Sequence, residues 1–214
     1  MLVIGSVGVI VGFVFHPVFW FIYPGLSLLV TGSIMLLGSK VIKLQVRDRL
    51  LDGLQLKGDE NVLDVGCGRG LMLIGAAKRL TSGTAVGLDL WRTVDQSGNS
   101  PDVTLANAEA EGVQDKIKIE TGDMTKMPFP DNSFDLVVSS WAIHNIPNKE
   151  GRAKAIEEIF RVLKPGGRVA IIDISAAAEY GMTLTRLGMQ DVKKTGPNFL
   201  FVTPSFTVQG TKPK

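Results

Sequence analysis

Charge is missing from the first 38 residues, where no Asp, Glu, Lys or Arg occurs; the first charged side chain is Lys40. A buried core helix of that length is excluded, because it would reach about 57 Å at 1.5 Å per residue. Cysteine is nearly absent, the single one being Cys67, which excludes an internal disulfide and fits a reducing compartment. A basic cluster is also lacking. Lys and Arg total 23 against 21 acids, a net charge of +2, and their scatter marks no nucleic-acid surface. Two histidines and one cysteine offer no set of metal ligands, so no metal centre is expected. No Gly-Lys-Ser/Thr is present, which removes a P-loop, and no internal repeat or low-complexity tract occurs.

What fills the uncharged stretch is apolar. Leu2–Val14 and Leu26–Leu37 are smooth runs, separated by His16-Pro17, Pro24-Gly25 and the aromatics Phe13, Phe15, Phe19, Trp20, Phe21 and Tyr23. Aromatics gather at membrane interfaces, so residues 1–38 are expected to form a helical membrane anchor, transmembrane or re-entrant. It would be a hairpin bent at the far interface or a single tilted helix over Val18–Gly38. A cleaved signal peptide fits less well, since no basic n-region precedes the run and no small-x-small site follows it. Lys40, Lys43, Arg47 and Arg49 come next, and the positive-inside tendency would keep the following domain on the cytoplasmic side of the membrane. Residues 39–54 have the pattern of an amphipathic connecting helix, lying on the membrane surface or packed on a sheet edge.

From residue 55 onward the pattern is that of one α/β domain. Apolar strand-like runs at Val62–Val65, Ala85–Asp89, Lys116–Glu120, Phe134–Ser139 and Arg168–Ile174 alternate with helices over Gly70–Leu80, Pro101–Glu111 and Lys149–Leu163. Such alternation predicts a doubly wound, mostly parallel sheet with helices on both faces. Ser175–Gly188 reads as a further helix, and Asn198–Val202 with Ser205–Gln209 as a terminal antiparallel pair.

The chemistry is expected at Val62-Leu63-Asp64-Val65-Gly66-Cys67-Gly68-Arg69-Gly70. A buried strand breaks there into alternating glycines, which let the backbone turn into a helix and let a ligand approach the main chain. The spacing is Gly-x-Gly-x-Gly, not the dinucleotide G-x-G-x-x-G, which disfavours a nicotinamide-dependent oxidoreductase. Asp64 at the strand end suits a cationic ligand. Cys67 reads as a small packed side chain, since no His adjoins it in sequence. Asp89 ends the second strand about 20 residues after the turn, where a carboxylate can take both ribose hydroxyls of a nucleoside.

The glycine stretch resembles the first motif of the class I, seven-strand, Rossmann-like S-adenosylmethionine-dependent methyltransferases. Gly122-Asp123-Met124, Phe134-Asp135-Leu136-Val137-Val138-Ser139-Ser140 and Arg161-Val162-Leu163-Lys164-Pro165-Gly166-Gly167-Arg168 match later motifs of that family in order, over roughly Asp59 to Asp173. The resemblance implies S-adenosylmethionine as cofactor and S-adenosylhomocysteine as product. On that basis Asp64, Gly66 and Gly68 would line the methionine end, and Asp89 and Leu90 the ribose and one adenine face. Gly122, Asp123 and Met124 would form the adenine rim, with Ser140 at the end of the fourth strand. Trp91 would pack on the adenine or cover the sheet edge, and the polar loop Trp91–Ser100 would close over the site or stay solvated.

His144, in Trp141-Ala142-Ile143-His144-Asn145-Ile146, follows the fourth strand on the acceptor side in the resembling family. It is the expected general base, or else a histidine bonded to backbone. Asn145 could orient an acceptor atom. No Asn-Pro-Pro-Tyr-like sequence follows that strand, which lowers the case for a nucleic-acid or glutamine acceptor. A site with no sizeable lid insertion beside an anchor favours a small, lipid-soluble acceptor: a quinone, an isoprenoid or a phospholipid head group. The expectation is a membrane-anchored methyltransferase acting on an O, N or C atom. The alternative is a catalytically silent adaptor of the same fold tethered to the bilayer.

Overall fold

The computed structural model describes residues 4–7, 9–10, 19–37, 41–94, 97–198 and 203–214. They divide into two compact units, one within residues 4–46 and one made of 47–198 and 203–214.

In the larger unit, seven strands among the described residues form one sheet: β1 (Asn61–Val65), β2 (Thr84–Asp89), β3 (Ile117–Thr121), β4 (Phe134–Ser140), β5 (Leu163–Asp173), β6 (Gln190–Asn198) and β7 (Ser205–Thr211). Their order is β3-β2-β1-β4-β5-β7-β6. The first five are parallel, and β7 runs antiparallel to β5 and β6. The chain reverses direction across the sheet between β1 and β4, so their carboxyl ends form the crevice where an open α/β sheet binds ligands.

Alternation along the central strands feeds two cores. Leu63, Val65, Val137, Val169 and Ile171 belong to one buried cluster; Val62, Leu136, Val138 and Ala170 belong to the other. Neighbouring residues thus face opposite sides of the sheet, as a period of two requires. The helices between the strands are α3 (Leu71–Ala77), α4 (Pro101–Ala110), α5 (Lys149–Val162) and α6 (Ala177–Arg186). Ser100 caps α4 by accepting from Val103 N at 3.3 Å, with Pro101 in the first turn. Asn148 caps α5 by accepting from Gly151 N at 2.6 Å. Each cap satisfies a main-chain donor that the first turn leaves unpaired.

Ahead of β1 lie α1 (Phe19–Leu37) and α2 (Lys43–Gly53), after described helical residues around Gly5. The division between units falls inside α2, between Val46 and Arg47, rather than at the end of the expected 39–54 segment. From Arg47 on, α2 packs on α3. A Cβ on Gly75 would fall 2.4 Å from Arg47 Cδ and 2.8 Å from Leu51 Cδ1. This is the packed alternative, in which Leu51 and Leu54 join the core.

In the smaller unit, residues around Gly5 are helical and lie backbone to backbone on α1; a Cβ on Gly5 would sit 2.7 Å from Leu29 N and 2.8 Å from Gly25 O. The expected membrane-crossing anchor is not matched. Among the described residues no helix is long and apolar enough to cross a membrane, and α1 carries Pro24 within it. The bend expected near His16-Pro17 lies outside the described residues.

The C-terminal pair also differs from expectation. The partner of β7 is Gln190–Asn198, upstream of the anticipated Asn198–Val202, of which residues 199–202 lie outside the described residues. This strand is an exposed edge carrying Lys193, Lys194 and a Gly196-Pro197 bond. It lacks the apolar alternation that reveals a strand in sequence; polar residues and proline are typical of sheet edges.

Candidate active site

The turn after β1 is built by three glycines in the left-handed region, Gly66, Gly68 and Gly70, with φ of 70°, 51° and 89°. It is stitched to β2, since Gly66 N and Cys67 N both donate to Leu88 O at 2.8 and 3.2 Å. From the other side, Thr104 of α4 donates its hydroxyl to Gly68 O at 2.6 Å, and Asn107 Nδ2 reaches Arg69 O at 2.9 Å. Neither residue stands out in sequence, although both lie on the face of α4 that follows its Ser-Pro cap.

Asp64 is 1 % exposed. Its Oδ2 accepts from Leu73 N at 2.8 Å, while Oδ1 is buried with no partner in the protein. Burial pushes its carboxyl up to about 7, the Leu73 amide opposes this, and the charge of Asp89 adds to it. An unpaired buried acceptor of this kind calls for a donor from a ligand. Burial also raises the Cys67 thiol, with Asp64 and Asp89 adding to the effect. Its sulfur fills the space that a Cβ on Gly87 would need, 2.8 Å away. Cys67 is a neutral, packed side chain.

Asp89 faces the turn from the end of β2. Its Oδ2 accepts from Gly68 N at 2.8 Å, and its Oδ1 from Trp91 N at 2.7 Å and Asn99 Nδ2 at 3.1 Å. Leu90 beside it is 46 % exposed, leaving an apolar face open. Trp91 donates its indole N–H to Thr121 Oγ1 at 2.9 Å, which ties it to the end of β3. Gly122 N bonds Asp89 O at 3.1 Å, and a Cβ at Gly122 would fall 2.9 Å from Leu88 Cδ1. The neighbouring Asp123 closes its own turn by accepting from Thr125 N at 2.7 Å.

The missing Cβ of Gly66 makes room for protein rather than ligand. It would land 2.2 Å from Ala142 Cβ and 3.4 Å from Met124 Cε. This close approach brings the connection after β4 directly against the glycine turn. Ser140 ends β4 half-buried, while Ser139, fully buried, donates to Val65 O at 2.7 Å and ties β4 to β1. Trp141 then turns the chain at φ 53°, a conformation costly for a bulky side chain and frequent at functional sites. Its indole N–H donates to Ser205 Oγ at 3.0 Å.

Two residues beyond Ala142, His144 sits in a short 3₁₀ turn (Ile143–Asn145). Its Nδ1 lies 2.5 Å from Asp173 Oδ1, and its main-chain N donates to Asp173 Oδ2 at 3.1 Å. Asp173 ends β5 and is fully buried. Ile174 N donates to its Oδ1 at 2.8 Å and the Tyr180 hydroxyl to its Oδ2 at 3.1 Å. Burial, and then the charge of Asp173, raise the Tyr180 phenol, keeping it a protonated donor. With Nδ1–H given to the carboxylate, the His144 tautomer leaves a lone pair on Nε2. Arg152 braces the same turn, bonding Ile146 O at 2.9 Å and Glu179 at 2.9 Å. Asp173 and Tyr180 were not singled out in sequence; the available signal was an acid closing the apolar run of β5.

The expected positions therefore fall into two groups that meet where Ala142 contacts Gly66. Asp64, Gly68, Asp89, Leu90, Gly122 and Asp123 lie at the ends of β1, β2 and β3. Ser140 and His144 lie at the end of β4, and Met124 reaches the meeting point.

A family described as "Methyltransferase domain" matches residues 63–171. The chain is 31 % identical over 156 residues to a demethylmenaquinone methyltransferase of Lactobacillus johnsonii, covering 72 % of this chain and 58 % of the relative. It is 33 % identical over 129 residues to the ubiquinone/menaquinone biosynthesis C-methyltransferase UbiE of Roseobacter denitrificans, covering 60 % of this chain and 48 % of that one. The chain thus spans about half the length of these curated relatives. Among solved structures, a putative S-adenosyl-L-methionine-dependent methyltransferase from Methanococcus maripaludis matches with a TM-score of 0.63 at 20 % identity, over 82 % of this chain and 89 % of that one; at that identity the likeness is one of fold.

Proposed function

This chain belongs to the methyltransferase-domain family, and from that premise we propose that it transfers a methyl group from S-adenosylmethionine to a small, lipid-soluble acceptor of quinone type. S-adenosylmethionine, the cofactor implied by this fold, supplies an activated methyl carbon on a sulfonium. The residues present suit it. Asp64 offers a buried unpaired oxygen to a cationic ligand, Asp89 stands where ribose hydroxyls are taken, and Leu90 exposes an apolar face to the adenine. Asp123 and Met124 would form the adenine rim, with Gly122 shaping the bend before them.

The observation that carries the proposal is the His144–Asp173 pair at 2.5 Å, placed beside the glycine turn through the Ala142–Gly66 contact. In-line methyl displacement needs positioning, together with a base only when the acceptor must lose a proton. A quinone carries no hydroxyl, so the acceptor is its reduced, hydroquinone form: His144 Nε2 would take the hydroxyl proton, leaving an electron pair that makes the oxygen or the ring carbon beside it the nucleophile toward the activated methyl group the cofactor would supply. For reaction at carbon, the ring proton would pass to solvent water, restoring the aromatic ring, and His144 would return its proton to the phenolate oxygen. Asp173 orients the imidazole through Nδ1. Relatives whose names specify menaquinone and ubiquinone methylation support a quinone-type acceptor.

A lipid-soluble acceptor also gives the smaller unit a role. Its glycine-lined helix contact leaves Ile4, Val7, Ile10, Leu26, Val30 and Ile34 exposed. Small residues inside with large aliphatics outside is the arrangement of helices packed in lipid. We place this unit in contact with a bilayer, on its cytoplasmic side. Vesicle flotation tests this: loss of binding is expected when Ile10, Leu26 and Val30 become Ser, and unchanged flotation would remove the membrane from the account. Methyl-labelled cofactor with a total lipid extract tests the activity. Label in a quinone fraction is expected; cofactor binding without transfer to any acceptor would favour an adaptor.

A further inference from the structure

Asn99 closes the loop Trp91–Ser100 and is 7 % exposed. Its Nδ2 donates to Asp89 Oδ1 at 3.1 Å, while its Oδ1 is buried without a partner in the protein. The orientation of the amide is fixed chemically. An ionised Asp89 only accepts, so the nitrogen must face it and the oxygen must point away. Asn99 is also held firmly from behind. Ser100 caps α4, and the Thr104 hydroxyl that grips Gly68 O lies 3.2 Å from Ser100 O. The loop end, the glycine turn and Asp89 therefore form one assembly, in which an acceptor is kept buried and unsatisfied. Leaving such a group unpaired is unfavourable unless a donor arrives with a ligand.

Of the two buried side-chain oxygens without partners among the described residues, Asp64 Oδ1 belongs to β1 and Asn99 Oδ1 to the group around Asp89. The chemistry expected at Asp89 is that of ribose hydroxyls, each of which can donate. We propose that Asn99 is a cofactor-binding residue whose Oδ1 accepts a hydrogen bond from a ribose hydroxyl of the nucleoside. The assignment rests on the cofactor reading above and extends it, because it brings Asn99, at the end of the polar segment before α4, into the binding site. It also predicts discrimination: a nucleoside lacking that hydroxyl leaves Asn99 unpaired, and a site built to bond a hydroxyl rejects its deoxy analogue.

Calorimetric titration with S-adenosylhomocysteine and its 2′-deoxy and 3′-deoxy analogues tests this without any turnover. Asn99→Ala should weaken S-adenosylhomocysteine binding by roughly 10-fold, the scale of one hydrogen bond to a buried acceptor. One of the two deoxy analogues should bind wild type more weakly yet show no further loss in Asn99→Ala. If Asn99→Ala is poorly folded by thermal melt, Asn99→Ser is used in the same titrations with the same expectation. Wild-type affinity in the variant would overturn the proposal. Equal losses for all three nucleosides would also overturn it, since Asn99 would then act only by holding Asp89. Failure of wild type to bind S-adenosylhomocysteine at all would instead refute the cofactor reading itself.

Discussion

Asp64 and Asp173 are both almost completely buried, 1 % and 0 % exposed, and both end strands at the ligand-binding edge of the sheet. Their surroundings differ. Asp64 receives one main-chain N–H, and its second oxygen has no partner. Asp173 receives four donors, two from His144 and one each from Ile174 and Tyr180. The first carboxylate is built short of partners, which suits a residue waiting for a cationic ligand. The second is saturated by its own protein, which suits a residue whose task is to hold another side chain. Burial alone therefore says little about the role of an acid; for these two, what differs is whether a buried oxygen is left without a donor.

Breaking the saturated side should have the largest effect. His144→Ala is expected to lower kcat by about 10²–10⁴-fold, the usual contribution of a general base, with cofactor affinity unchanged by calorimetry. Asp173→Asn should lower kcat by a smaller factor of about 10²-fold, because the base remains but its tautomer and orientation are no longer held. Equal turnover in both variants and wild type would make the pair structural.

Breaking the cofactor side should appear in binding rather than turnover. Asp89→Ala removes an acceptor for ribose and is expected to weaken S-adenosylhomocysteine by roughly 100-fold, on the scale of two charge-assisted hydrogen bonds. Far-ultraviolet circular dichroism should stay native. Unchanged affinity would refute the assignment.

The smallest effect concerns the acid short of partners. The folded-state value of Asp64, about 7, lies above its ordinary value of 3.8, so the folded protein holds that proton more tightly than the unfolded chain. Its contribution to stability is present below about pH 4 and is lost as pH rises toward 7. In thermal melts of the ligand-free protein across pH 5–8, Asp64→Asn should flatten this decline by a few degrees. A parallel decline in both proteins would show that Asp64 keeps its ordinary acidity.

The sequence revealed most of the sheet and one of these two acids. The glycine turn and Asp64 are local, written within nine consecutive residues, and Asp89 follows at a readable spacing. Asp173 and Tyr180 meet His144 only because β4 and β5 are neighbours in the sheet, a long-range fact that no local pattern carries. Asn99 was similarly hidden in a polar loop whose two readings, closing or solvated, composition could not separate. The contact between Gly66 and Ala142, 76 positions later, is hidden for the same reason. The edge strand β6 escaped notice because an exposed edge has no apolar alternation to display.

Methyl transfer by the intact protein tests the central claim most directly. Wild type and His144→Ala would be incubated with methyl-labelled S-adenosylmethionine and a membrane lipid extract whose demethylated quinones are kept as hydroquinones by added dithionite, then the lipids separated and counted. The account predicts label in a quinone fraction with wild type and little or none with His144→Ala, although both bind the cofactor equally. Cofactor binding by wild type with no label in any lipid, or equal labelling by the two proteins, would contradict it.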